Sequence, residues 1–249
     1  MDYRDSVDLS GSHTQRASGG GGGGRMALGG GIGGLVLMLL VVFVGPRLGI
    51  NVSDLFGSGS GQDTRPAAQG SDLEHCKQKG VNVNTNRECR WLLYEKVIQD
   101  YWSKTTPNYE YATVKLFSGT ISTACGVGQT EMGPFYCSGD STVYIDDSYV
   151  GQLLKQLGAS GGDAAELYIV AHEFGHHVQN LDGTMRKVRR GTGADSSQVR
   201  LELQADCYAG VVFNQVMKDS NSPIKAVSKD DLLRIADAAR SVGDDHIQK

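Results

Sequence analysis

The residues best placed to do chemistry stand in one stretch, His172-Glu173-Phe174-Gly175-His176. Histidines four residues apart lie about 40° apart around a helix, so both imidazoles face the same way and can converge on one cation. Nitrogen donors at about 2 Å suit zinc, and a catalytic zinc keeps one coordination position for water. Glu173, beside the pair, is placed to take a proton from that water, whose pKa the cation lowers. His177 points well away from the face that His172 and His176 share, and reads as a structural residue or a support for a ligand.

Two imidazoles do not hold zinc tightly, so a third donor is required. The stretch Glu202-Leu203-Gln204-Ala205-Asp206 puts two carboxylates on one helix face. Glu202 can complete the coordination, and Asp206 can accept a hydrogen bond from the outer ring nitrogen of a ligating His and so fix its tautomer. The small residues Ala205, Ala209 and Gly210 would let this helix approach the first. Asp182, ten residues after His172, is a rival third donor, because some sites of this kind read HExxHxxGxxH or its Asp variant. That arrangement turns the chain sharply at its glycine, where this sequence has Gln179, so the helix is expected to continue.

The helix carrying the first motif is predicted from about Asp163, a capping residue, to Leu181, with Gly183 as its stop. The Glu202 helix is predicted from about Ser197 to Met217, and a last helix follows Ser228, with Asp231 at the capping-box position. Glu88–Trp102 has helical apolar spacing, and Tyr149–Leu157 reads as a helix stopped at Gly158. Val114–Ile121 and Phe135–Ile145 are β-rich, with Gly139-Asp140 as a hairpin tip. Strands first and helices later predict an α+β domain rather than a doubly wound sheet.

The chain has 249 residues, 39% of them hydrophobic, and a net charge of -4, which fits one or at most two domains. A nucleic-acid partner is excluded by the lack of a basic footprint, since the cluster Arg186, Lys187, Arg189 and Arg190 reads as a solvated loop. Residues 1–26, with the run Gly19–Gly24, are expected to form a disordered tail. Met26–Pro46 is a run of 21 residues without a charge, about 30 Å as a helix, and predicts a transmembrane helix within 27–50. Arg4, Arg16 and Arg25 precede it while Arg47 and Arg65 follow, a bias that predicts an internal N-terminus and an external C-terminal domain. Residues 51–75 read as a flexible linker and 76–249 as the folded domain. All five cysteines follow the span; in an oxidising compartment Cys76 with Cys89 and Cys125 with Cys137 are candidate local bridges, which leaves Cys207 over.

Several separate blocks carry a resemblance in family order: Cys125-Gly-Val-Gly-Gln, Met132-Gly-Pro-Phe-Tyr-Cys137, Val143-Tyr-Ile-Asp146, His172-Glu-Phe-Gly-His-His-Val-Gln179 and Glu202-Leu-Gln-Ala-Asp-Cys207. Over roughly residues 88 to 245 the chain resembles the bacterial family of membrane-anchored neutral zinc metallopeptidases. The resemblance implies a zincin-like domain, a small mixed sheet packed on the HExxH helix. It also implies Zn2+ held by His172, His176 and Glu202, with Glu173 as general base; the resemblance does not supply the natural substrate, and a peptide or protein is expected from the motif's chemistry. The family shares an N-terminal anchor of the same general kind, which with the charge bias and the downstream cysteines predicts a single-pass protein of the bacterial cell membrane with its C-terminal domain outside the cytoplasm. Family members continue past Gly243-Asp244-Asp245 into a further His- and aromatic-containing stretch with another Cys, so the chain is expected to be truncated relative to them.

Zincins commonly stabilise the oxyanion with a Tyr or His opposite the base, for which Tyr136, Tyr144 and His246 are the candidates here. They also pair an extended peptide with an edge strand over the active-site helix, for which Pro134–Cys137 is the candidate. Peptide-bond hydrolysis is the expected activity. Two alternatives stand beside it: a zinc-stabilised binding or scaffold domain at the membrane surface without turnover, and a metal-dependent hydrolase of non-peptide amides.

Overall fold

The computed structural model describes residues 1–17, 73–189, 193 and 195–242. Its centre is the helix that carries the first motif. Asp163–Leu181 (α3) buries Leu167, Val170, Ala171, Phe174, Gly175, His176, His177 and Gln179 alike, so it is covered on nearly every side. Cys89–Thr105 (α1), Ser197–Lys218 (α4) and Lys229–Val242 (α5) pack around it, and the short helix Val150–Gln156 (α2) precedes it. Gly183, at φ 77°, ends the turn after α3 in a conformation that favours glycine. Asp163 is the first helical residue rather than the cap, a position held by Gly162. Its carboxylate is instead engaged by Arg90 of α1 at 2.7 Å.

The predicted caps of the other helices form. Ser196 accepts a hydrogen bond from the Val199 amide at the start of α4. Ser228 and Asp231 exchange bonds at the start of α5, 3.1 Å from the Asp231 amide to the Ser228 hydroxyl and 2.9 Å from the Ser228 amide to the Asp231 carboxylate.

One four-stranded sheet lies against the helices in the order β2-β3-β7-β6, formed by Thr14–Arg16 (β2), Thr113–Leu116 (β3), Thr142–Ile145 (β7) and Phe135–Cys137 (β6). β2 and β7 run parallel to β3, whereas β6 is antiparallel to β7 and forms an edge. The Gly139-Asp140 turn joins β6 to β7 as predicted. Thr120–Thr123 (β4) and Gly126–Gln129 (β5) make a separate hairpin, so the β-rich stretch Val114–Ile121 is divided at Ser118-Gly119 between β3 and β4. Asp2–Tyr3 (β1) pairs with Ile224–Ala226 (β8). The α+β class stands. Both candidate disulfides form, Cys76–Cys89 and Cys125–Cys137, and Cys207 is free and exposed.

Residues 1–17 are not a disordered tail. Tyr3 and Leu9 are buried, β1 and β2 belong to two sheets, and Val7 bridges Val81. Composition underrates this segment because the partners that repay its ordering entropy lie far along the chain. The remainder of the expected tail, the expected transmembrane helix at 27–50 and nearly all of the expected linker lie outside the described residues. Among the described residues no helix is long and apolar enough to cross a membrane.

Candidate metal centre

α3 and α4 touch at Gly175 and Ala205. A Cβ on Gly175 would stand 2.9 Å from the Ala205 Cα and 3.1 Å from its carbonyl oxygen, so only glycine permits this approach. Ala205 and Ala209 are fully buried on the contact face, while Gly210 is exposed and takes no part. The approach brings Glu202 over the two histidines. Its Oε2 lies 3.2 Å from His172 Nε2 and 3.2 Å from His176 Nε2.

The outer nitrogens fix what those inner nitrogens can do. His172 Nδ1 lies 2.8 Å from the Asp206 carboxylate, an acceptor, and therefore carries the proton. His176 Nδ1 lies 2.9 Å from Gln179 Oε1. The Gln179 amide nitrogen donates to the Leu201 carbonyl at 2.7 Å and to Gln204 Oε1 at 2.9 Å, so its oxygen must face His176 and accept. In both neutral rings the Nε2 lone pair is then turned inward. His176 Nε2 is fully buried and makes no hydrogen bond. With both rings neutral, two lone pairs and a carboxylate oxygen would fit a divalent cation, and His172, His176 and Glu202 bring their ligand atoms within 4.8 Å of one another.

Electrostatics couple the same three groups. Burial opposes ionisation of Glu202, but His176 and His172 outweigh it and hold its pKa well below the usual carboxylate range. Burial likewise opposes charge on His172, and is overcome by the bonds to Asp206 and Glu202 that raise its pKa. Glu173 is different: burial pushes its carboxyl up, only partly offset by His176 and His172. The edge strand β6 packs on the same helix, where the Tyr136 backbone favours the charged form of Glu173.

Asp182 does not approach this cluster. It caps the end of α3, and its carboxylate accepts the Thr184 amide at 2.7 Å. The proposed oxyanion donors are also engaged elsewhere. The Tyr136 hydroxyl donates to His177 Nδ1 and accepts from the Asn180 amide, each at 3.0 Å, and Tyr144 donates to Asp140 at 2.8 Å. His246 lies outside the described residues. His177 is a structural residue: its Nε2–H donates to the Glu110 carbonyl at 2.7 Å, and burial lowers its pKa, which keeps it neutral.

Two supporting residues escaped the sequence reading. Tyr168 donates to Asp206 and shares that carboxylate with His172. Gln179 orients His176 and links α3 to α4. Their spacing was the available signal, since Tyr168 lies four residues before His172 and Gln179 three after His176, both on the ligand face.

Two histidines of an HExxH helix and a glutamate of a neighbouring helix, converging on one point in an α+β domain, make a candidate metal site. The chain belongs to the family described as "Putative neutral zinc metallopeptidase", whose model matches residues 1–249. It is similar to an uncharacterized protein of Mycobacterium tuberculosis, 41% identical over 194 residues that cover 75% of this chain and 66% of that protein. It is also similar to the uncharacterized protein YpfJ of Escherichia coli, 37% identical over 223 residues that cover 86% of this chain and 72% of that one. The chain thus spans slightly less than two thirds of the mycobacterial relatives' length. No solved structure matches.

Proposed function

We propose that the chain is a zinc-dependent peptidase with a zincin-like domain, in which His172, His176 and Glu202 hold Zn2+ and Glu173 is the general base. The observation that carries this reading is the convergence of the two Nε2 atoms and Glu202 Oε2 beside a buried carboxylate, on a helix against which an edge strand packs. Zinc, when bound, would polarise the scissile carbonyl and acidify water. Glu173 takes a proton from the attacking water and delivers it to the leaving amine, a role that its raised pKa suits. Asp206 and Gln179 hold the two imidazoles in the tautomer that offers Nε2.

β6 supports a peptide substrate. It is an edge strand tied to the β4–β5 hairpin by Cys125–Cys137 and to α3 through Tyr136, His177 and Asn180. An extended peptide would add to its free side as a further strand. The two disulfides support a domain that works outside the cytoplasm.

Glu173→Gln separates enzyme from scaffold. It keeps the size of the side chain and removes the base, so the variant is expected to retain zinc and lose cleavage of a fluorogenic peptide library. Undiminished cleavage by the zinc-loaded variant would sink the mechanism. A zinc-loaded wild-type chain that cleaves nothing across the library would favour a scaffold.

A further inference from the structure

The disulfide Cys76–Cys89 belongs to the hydrophobic core, yet polar groups meet it on one side. His75 Nε2 lies 3.3 Å from Cys76 Sγ and 3.7 Å from Cys89 Sγ. The same nitrogen is 3.1 Å from one carboxylate oxygen of Glu88, and the other oxygen faces Arg16 at 3.5 Å. Arg16 is balanced in turn by Asp147, at 3.1 and 3.0 Å. Two sulfurs, a ring nitrogen and a carboxylate oxygen thus gather where the turn Leu73–Lys77 lies on the start of α1.

These spacings are close to those around a tetrahedral metal ion. Zinc–sulfur bonds of about 2.3 Å and zinc–nitrogen bonds of about 2.1 Å place sulfur and nitrogen about 3.6 Å apart on one ion. Both His75 contacts are near that value, and only the two sulfurs, bonded to each other, have to part. Rotation of the cysteine side chains parts them once the bond is open. His75, Cys76 and Cys89 bring their ligand atoms within 4.8 Å of one another, as His172, His176 and Glu202 do. Cys125–Cys137 belongs to no such group among the described residues. Cys89 is the first residue of α1, and a helix N-terminus favours negative charge, so a thiolate there is stabilised. His75 and Glu88 are partly exposed, which gives an ion a way in from solvent.

We propose that reduction of Cys76–Cys89 turns a covalent staple into a second metal site, in which the two thiolates, His75 Nε2 and Glu88 hold Zn2+. A dithiol supplies the two electrons and two protons that open the disulfide, and is itself oxidised to a disulfide. Each cysteine thiol then gives its proton to solvent as its sulfur binds the ion. The site differs from the HExxH centre in its sulfur donors, and it keeps the Leu73–Lys77 turn fastened to α1 in reducing surroundings.

Cobalt distinguishes the two centres, because Co2+ occupies zinc sites and absorbs intensely in the near ultraviolet when thiolates bind it, whereas imidazole and carboxylate donors give no such band. The full chain carrying Cys207→Ser, which removes the free thiol, is stripped of metal, reduced anaerobically with a phosphine and titrated with Co2+. The reduced chain is expected to take up one more Co2+ than the oxidised chain, to show the thiolate band that the oxidised chain lacks, and to keep the same helix content by circular dichroism. The band should be lost in Cys76→Ser and persist in Cys125→Ser. His75→Ala leaves the disulfide able to form and should weaken the extra ion on the order of tenfold or more, since even an outer support of a ligand is worth that much. A reduced chain without the band, a band that follows Cys125, or unchanged affinity in His75→Ala overturns the site. So does a loss of helix content on reduction that Co2+ does not restore. Each of these outcomes leaves the peptidase reading untouched, because the HExxH centre has no sulfur donor.

Discussion

His172 and His176 are held by unlike partners, a carboxylate and a neutral amide, and that difference makes their supports separately testable. Glu202→Ala removes the carboxylate that faces both Nε2 atoms and is expected to abolish stoichiometric zinc, because two imidazoles bind weakly. Asp182→Ala should leave zinc content unchanged, since that side chain only caps a turn; plasma emission on dialysed protein reads both. Gln179→Leu keeps the volume and removes the acceptor for His176 Nδ1, so zinc affinity is expected to fall about 10- to 100-fold. Competition with a chromophoric chelator measures this, and unchanged affinity would show that His176 needs no orienting partner. The ligands were legible because i,i+4 spacing places His172 with His176, and Glu202 with Asp206, on common faces. Gln179 was legible only as a departure from a glycine, because its partners Leu201 and Gln204 come from another helix.

At the level of elements, the centre depends on how closely α3 and α4 approach. Gly175→Ala would place a methyl group 2.9 Å from the Ala205 Cα, a backbone atom with no flexible side chain to yield. Overpacking of this kind costs about 1–3 kcal/mol. It also moves Glu202 away from the histidines, so the melting temperature and zinc affinity should fall together in the same preparation. A variant that melts lower yet binds zinc normally would show that α4 can shift without carrying its ligand. The helices were readable from their 3.6-residue apolar spacing and their caps, as the Ser228 and Asp231 pair shows. Strands were less so. β1, β2 and β8 contain two or three residues each, too few for an alternating pattern, and exist because of partners that only the tertiary fold supplies. β5 carries Gly126 and Gly128, which read as turn residues, yet Gly128 leaves the room that the Phe135 ring occupies.

Across the whole molecule, the N-terminal segment decides whether the domain can be regarded as beginning at residue 73. Its Leu9 is 1% exposed and belongs to the same core cluster as Leu92, Leu93 and Ile98 of α1. The Tyr3 hydroxyl meets that of Tyr94 at 3.1 Å within the same core. If the segment is part of the cooperative unit, a cavity made in it must weaken everything folded around it. Leu9→Ala should therefore lower the stability of the full chain in detergent by about 2–5 kcal/mol, which for a domain of this size shifts the melting temperature by on the order of 10 °C. The loss should appear in one transition that also releases zinc, because α1 packs on the helix that carries His172 and His176. Asp5→Ala, at an exposed position of the same segment, should leave the midpoint in place. Circular dichroism melts with a zinc indicator present follow both signals at once. A Leu9→Ala chain that melts and releases zinc like the wild type would mean that residues 1–17 dock without contributing to the fold, and that the site's stability resides in residues 73–242 alone.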